Sequence, residues 1–171
     1  MRYCTYDYLP AQARLIREQV FVDEQGFHDE YDHIDDLCQH LLAFASPNDW
    51  VKLEHANMTV DQSTDGPVAI ATSRFFASTP KGEPLPQDQA SHATIYTIGR
   101  VAVDKAWRGL HCGAQVLAAT EAAIRQRGGR TAILHAQEQA KDFYTKQGYQ
   151  VIGERDYDQH CPHVWMSKDL D

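Results

Sequence analysis

Apolar and polar side chains alternate from Arg2 to Tyr8 (RYCTYDY), the period of a half-exposed strand. The period then lengthens. Over Pro10–Phe21 (PAQARLIREQVF), Ala13, Ile16 and Val20 recur at helical spacing, which predicts a helix with Pro10 in its first turn and Asp7 placed to cap it. His40–Ala45 (HLLAFA) and Val68–Phe76 (VAIATSRFF) are apolar runs of strand length. Residues 47–66 are polar and read as loop, and Ala77–His92, rich in Pro, Gln and Ser, reads as a second long loop. Thr94–Val103 (TIYTIGRVAV) carries the strongest strand pattern in the chain. A helix follows over Leu110–Arg127, with Ala114, Leu117, Glu121 and Ile124 on one face and Gly128-Gly129 to stop it. Next come a strand at Thr131–Ala136 and a helix over Gln137–Gln147, whose Ala140, Phe143 and Tyr144 share a face before Gly148 closes it. Two strands end the chain, Tyr149–Tyr157 and His163–Leu170. The order β-α-(α)-β-β-β-α-β-α-β-β predicts an α/β protein on a mixed sheet. The sheet pattern resumes after each long polar stretch, so residues 1–171 are read as a single domain.

Composition narrows the partners. A chain of 171 residues buries enough surface to fold without a disulfide or metal staple. Sixteen Lys and Arg against 24 Asp and Glu leave a formal charge of −8, which disfavours binding to nucleic acid or an anionic membrane. No apolar run approaches membrane-spanning length, and Met1–Pro10 has no signal-peptide core. The four cysteines, Cys4, Cys38, Cys112 and Cys161, form no CxxC pair and read as reduced thiols of a cytoplasmic protein. The groups Cys38-Gln39-His40, His111-Cys112 and His160-Cys161-Pro162-His163 hold metal-ligating residue types. They lack Cx2C or Hx3H spacing, so no metal is expected. The basic stretch Arg125–Arg130 reads as a helix C-terminus, where cations suit the dipole.

The segment Arg108-Gly109-Leu110-His111-Cys112-Gly113-Ala114 joins the strongest strand to the longest helix. A helix N-terminus presents unpaired N–H groups and partial positive charge, and glycines let an anion approach that backbone. Arg108 adds a cation. The turn therefore reads either as a diphosphate cradle or as an ordinary strand-to-helix connection. Neither GxxxxGK[ST] nor GxGxxG is present, which argues against a nucleotide triphosphatase or a dinucleotide site.

Three blocks carry a family resemblance. RVAVDKAWRGLHCGAQVL resembles the Q/R-x-x-G-x-G/A turn of the GNAT superfamily of N-acetyltransferases, with Arg108 first, Gly113 last and His111 at the usual middle glycine. LHAQEQAKDFYTKQGYQVIGE resembles the N-x-x-A-x-x-x-Y-x-x-x-G-F/Y block through Gln137, Ala140, Tyr144, Gly148 and Tyr149, with Gln in place of Asn. LIREQVFVDEQGF resembles the first helix of an ElaA- or YjcF-like subgroup at Arg17, Val20, Phe21, Glu24 and Gln25. The resemblance implies a GNAT fold, a mostly antiparallel sheet splayed between two central parallel strands and flanked by about four helices.

It also implies acetyl-CoA as co-substrate. The pantetheine arm is expected along Val101, Ala102 and Val103, and the pyrophosphate on the N–H groups from Arg108 through Gly109, Leu110, His111, Cys112 and Gly113 to Ala114. Gln137, Ala140 and Phe143 are expected as further cofactor contacts. Tyr144 is expected to protonate the departing thiolate, although the helix pattern alone would read it as core. An attacking amine must be neutral, and Glu24, Glu30, His40 and His135 are candidates to receive its proton or bind it. Residues 18–51 hold nine acids and no Lys or Arg, which suggests either an acidic wall that attracts a cationic amine or a solvated acidic loop. The expected activity is acetyl transfer from acetyl-CoA directly to a primary amine, a small molecule or a peptide N-terminus, by a cytoplasmic enzyme. A homodimer is a state that many relatives of this kind adopt. Two other readings fit the sequence: a CoA-binding sensor or interaction module without catalysis, and a metal-dependent regulator built on the His/Cys pairs.

Overall fold

The computed structural model describes residues 1–46 and 67–171. The loop expected over 47–66, including Asp49, lies outside the described residues. Seven strands, β1 (Arg2–Tyr6), β2 (Gln39–Phe44), β3 (Ala69–Ala77), β4 (Ile95–Val103), β5 (Thr131–Gln137), β6 (Gln150–Asp158) and β7 (Cys161–Asp169), form one sheet in the order β1-β2-β3-β4-β5-β7-β6. The sheet is mostly antiparallel, with β4 and β5 parallel. Four α-helices are described: α1 (Ala11–Arg17), α2 (Gln87–Ala90), α3 (Cys112–Gln126) and α4 (Lys141–Lys146). The short α2 falls within the stretch expected to be entirely loop.

By contact density the chain divides into two compact units. The first comprises Met1–Arg74 and Arg100–Ala119. Here β1 pairs with β2 from Arg2↔Phe44 to Tyr6↔His40. A core forms from Ala13, Ile16, Val20, Leu42, Phe44 and Ala102, so the apolar face expected of the first helix is the buried one. Two expectations fail at that helix. Pro10 is the N-cap with no side-chain hydrogen bond, so Asp7 does not cap it. The helix also stops being α after Arg17 and continues as a π-helix over Glu18–Glu24. Such wide turns are rare and concentrate at functional sites.

The second unit comprises Phe75–Gly99 and Thr120–Asp171. The β4–β5 ladder runs from Ile95↔Thr131 to Ile98↔Leu134 and ends there, while β4 continues to Val103 and β5 to Gln137. Beyond the ladder β5 stays paired to β7, through His135↔Trp165 and Gln137↔His163. Helix α3 begins at Cys112, two residues later than expected, and Gly128 (φ 85°) ends it by donating to the carbonyl of Arg125. The expected helix from Gln137 is a 3-10 turn, Glu138–Ala140, followed by α4.

Candidate active site

In the first unit, the turn between β4 and α3 is built by residues the sequence patterns did not single out. Asp104 accepts from the Ala106 N–H at 2.9 Å and opens a 3-10 turn over Lys105–Trp107. Trp107 is buried and anchors that turn. An Asp two residues before a short apolar step is a capping signal that could have revealed it. Gly109 (φ 78°) and His111 (φ 61°) both take the left-handed backbone. The first bond of the α3 ladder runs from the Gln115 N–H to the His111 carbonyl, so the N–H groups ahead of Gln115 precede the helical ladder. An ideal Cβ at Gly109 meets nothing within 4 Å, so that glycine serves conformation and not space. Of the expected strand contacts, Ala102 turns into the core while Val101 and Val103 are half-buried. Cys112 is buried, His111 exposed, and Leu110, Gly113 and Ala114 lie between.

Arg108 is held at both ends. Its Nε donates to the Val103 carbonyl at 3.1 Å, and its terminal nitrogens donate to both Glu24 oxygens at 2.7 and 3.0 Å. The π-helical end supplies that Glu24. An expected phosphate ligand and an expected acceptor-side acid are thus each other's partners.

Glu30 and His40 lie in a buried charge cluster. Arg17 binds Glu30 and Asp35, each with a closest approach of 2.6 Å. Arg74 binds Asp32 at 2.7 Å and Asp35 at 2.9 Å, and Arg100 binds Glu30 at 2.9 Å. Burial works against the charge of Arg17, but the hydrogen bond to Asp35 and the nearby Glu30 outweigh it, so its pKa rises. For Glu30 burial wins over Arg100 and Arg17, and its pKa is raised. Asp35 is also desolvated, yet Arg17 and Arg74 hold its carboxyl far below the usual range. Four acids of the 18–51 segment, Glu24, Glu30, Asp32 and Asp35, are therefore neutralised by guanidiniums.

Asp35, Cys38 and His40 bring three ligating atoms within 4.8 Å of one another. Their chemistry does not suit a cation. Burial pushes the Cys38 thiol up to about 12, His40 Nε2 donates to the Asp35 carbonyl at 3.0 Å, and the Asp35 carboxylate already binds two arginines.

In the second unit, Tyr144 sits on α4 between two rings, with centroids 5.0 Å from Phe143 and 5.9 Å from Tyr149. The N–H groups of Gln147 and Tyr149 both donate to its carbonyl, and Gly148 (φ 92°) permits that reversal. Tyr149 is itself fixed by donating to Glu121, which also binds Lys168 at 2.7 Å. Burial pushes the Tyr144 phenol up to about 12, so it keeps its proton throughout the neutral range. Gln137 accepts from Gln139 at 2.8 Å, and Ala140 precedes α4. His135 donates from Nε2 to Asp156 at 2.6 Å and stacks on Trp165 with centroids 4.7 Å apart.

The acetyltransferase (GNAT) domain model matches residues 87–170. A Bacillus subtilis protein named as an acetyltransferase is 32% identical over 161 residues, covering 91% of this chain and 86% of that one. The N-acetyltransferase YjcF of the same organism is 27% identical over 160 residues, covering 92% and 90%. Among solved structures, an N-acetyltransferase from Lactobacillus plantarum superposes with a TM-score of 0.72 at 27% identity, covering 99% and 97%. Escherichia coli ElaA superposes at 0.68 with 20% identity, covering 98% of each chain. The chain belongs to the GNAT acetyltransferase family, and its fold is the GNAT fold.

Proposed function

We propose that the protein transfers an acetyl group from acetyl-CoA directly to a primary amine. The observation that carries this is the β4–α3 turn, in which Gly109 and His111 adopt left-handed backbone ahead of the helix. Left-handed backbone ahead of a helix N-terminus is a conformation that can present successive N–H groups to one anion, as a pyrophosphate requires. β4 beyond Ile98 offers backbone groups to an amide-rich pantetheine arm, which adds alongside it like a strand. An N–H near Val103 polarises the thioester carbonyl. The amine nitrogen attacks that carbonyl, the C–S bond breaks, and the neutral Tyr144 phenol donates to the departing sulfur. No cysteine is asked to act as a nucleophile, and the Cys38 thiol, held at about 12, is unfit for it. Family membership supports acyl transfer in general; the turn and Tyr144 support acetyl-CoA as donor.

A cationic acceptor is a weaker part of this reading than the sequence suggested. Glu24, Glu30, Asp32 and Asp35 are already paired, and Glu18, Asp23, Asp29 and Asp36 are exposed to solvent, which screens their attraction for a distant cation. The reading commits to a neutralisable primary amine, with charge attraction secondary. The test is thiol release from acetyl-CoA across polyamines, amino sugars, aminoglycosides and peptide N-termini, together with melting temperature against acetyl-CoA, CoA and NAD. A selective shift with acetyl-CoA and CoA, and thiol release with one amine class, is the expected result. A shift without any thiol release would favour a CoA-binding module.

A further inference from the structure

We propose that His135, oriented by Asp156, is the general base that accepts the acceptor amine's proton. This assignment rests on the acyl-transfer reading above and adds the residue that reading lacks. The other candidates are committed elsewhere. Glu24 turns both oxygens to Arg108, the expected phosphate ligand. Glu30 is buried against Arg17 and Arg100. His40 is 1% exposed, and its Nε2 proton goes to the Asp35 carbonyl.

His135 differs in every respect that matters to a base. Its side chain is 25% exposed, so a proton donor can reach it. Donation from Nε2 to Asp156 fixes the tautomer, which leaves the lone pair on Nδ1 as the acceptor. The ring is clamped by Trp165, almost parallel at 19°, and by His163 at a centroid distance of 4.6 Å. Trp165 is itself immobilised, because Gly82 packs so closely on the indole that a Cβ there would lie 2.2 Å from the ring. His135 is also the first residue of β5 beyond the last β4 ladder pair, at Leu134. The acyl-transfer reading places the cofactor arm along β4 beyond that same end of the ladder.

The step balances. The acceptor ammonium gives one proton to Nδ1, and its freed electron pair forms the C–N bond. The thioester C–S electrons leave with sulfur, which takes the Tyr144 proton. The adduct nitrogen then loses its second proton through solvent to the Tyr144 phenolate, so that a neutral amide, a thiol and the His135 imidazolium remain. The imidazolium that forms is stabilised by the Asp156 carboxylate. The charged and titratable groups in contact with the ring are Asp156 from β6 and His163 from β7, and Asp158 acts on His163. Arg155 on β6 is occupied by Glu138 at 2.9 Å. Burial lowers the His163 pKa, against a hydrogen bond to the Cys161 carbonyl, so His163 stays neutral beside an imidazolium. His163 and Asp156 are positioning residues; His135 is the catalytic one.

The experiment measures kcat/KM by thiol release from pH 6 to 9, around the reference histidine pKa, for the full chain, His135→Gln and Asp156→Asn, with acetyl-CoA binding followed by thermal shift. The wild type is expected to show an acidic limb. His135→Gln should lose about 10²-fold or more at neutral pH, recover as pH approaches the amine's own pKa, and bind acetyl-CoA unchanged. Asp156→Asn, on an exposed edge strand, should fold normally, keep the limb and lose part of the rate. Parallel profiles for wild type and His135→Gln would overturn the base assignment while leaving acyl transfer intact. A wild type that binds no acetyl-CoA, or releases no thiol with any amine, would remove both.

Discussion

At the scale of single residues, the structure separates side chains that do chemistry from those that hold geometry. Tyr144 combines a protonated phenol with an aromatic clamp, so Tyr144→Phe removes the hydroxyl and keeps the packing. Turnover should fall by about 10²-fold or more while acetyl-CoA still raises the melting temperature. Unchanged single-turnover rates would return Tyr144 to a packing role. His111 poses the opposite question, because its φ of 61° is a conformation that costs a non-glycine residue about 1 kcal/mol. The family pattern has glycine there. His111→Gly relieves that strain but loosens the unfolded chain by a similar amount. Its melting temperature should therefore barely move. CoA affinity is the sensitive readout. The exposed imidazole lies in the turn expected to hold the pyrophosphate, where a ring N–H can donate to a phosphate oxygen. His111→Gly should therefore bind CoA more weakly than the wild type in an isothermal titration. Equal affinities would mean that the ring has no part in holding the cofactor.

At the scale of elements, two local features meet through distant sequence. The π-helical end of the first helix carries Glu24, and the β4–α3 turn carries Arg108, 84 residues away. Both side chains are partly exposed, so their pair is worth at most about 1 kcal/mol. A pyrophosphate must nevertheless compete with Glu24 for the same guanidinium. Glu24→Gln removes the competitor and a like charge near the phosphates. CoA should then bind about two- to fivefold tighter, the range that so weak a pair permits. Weaker binding in an isothermal titration would show instead that Glu24 positions Arg108. This pair also explains what the sequence revealed and what it hid. The strands, α3 and the glycines of the turn were legible because period and glycine are local signals, whereas the Asp104 cap, equally local, went unread. The switch to π geometry after Arg17 was not, since Glu18–Glu24 is an ordinary helical sequence whose register is set by packing. The acidic segment looked uncompensated because its counter-charges lie far along the chain. Arg17 is 13 residues from Glu30, Arg74 is 42 from Asp32, and Arg100 is 70 from Glu30. A local charge count cannot see such pairs. The same blindness left Glu30 and His40 looking as available as His135.

At the scale of the whole molecule, the buried cluster of Arg17, Arg74, Arg100, Glu30, Asp32 and Asp35 ties strands β3 and β4 to the segment after the first helix. Such clusters contribute little net stability when complete, because desolvation offsets attraction, but removing one member leaves charges buried without partners. Asp35 is the hinge of the cluster, since it accepts from both Arg17 and Arg74. Asp35→Asn should cost about 3–5 kcal/mol in denaturant unfolding. The same cluster fixes the sign of the acid response. Asp35 and Asp32 have folded pKa values below their ordinary ones. Their contribution is therefore fully present above the unfolded value of about 3.9 and disappears as pH falls through the lower folded values. Glu30 acts oppositely, because burial raises its folded pKa. Its contribution is present below about 4.3 and is lost as pH rises through the raised value, so mild acidification relieves a buried charge. The unfolding free energy should therefore hold or rise slightly from neutral pH down to about 5, then drop steeply below about 4. Glu30→Gln should remove the slight rise and keep the steep drop. Asp35→Asn should start lower and show a shallower drop, because the group that titrates there is gone. Urea midpoints at closely spaced pH values separate the three curves, and an acid limb of unchanged steepness in Asp35→Asn would show that carboxylates outside this cluster control the acid unfolding.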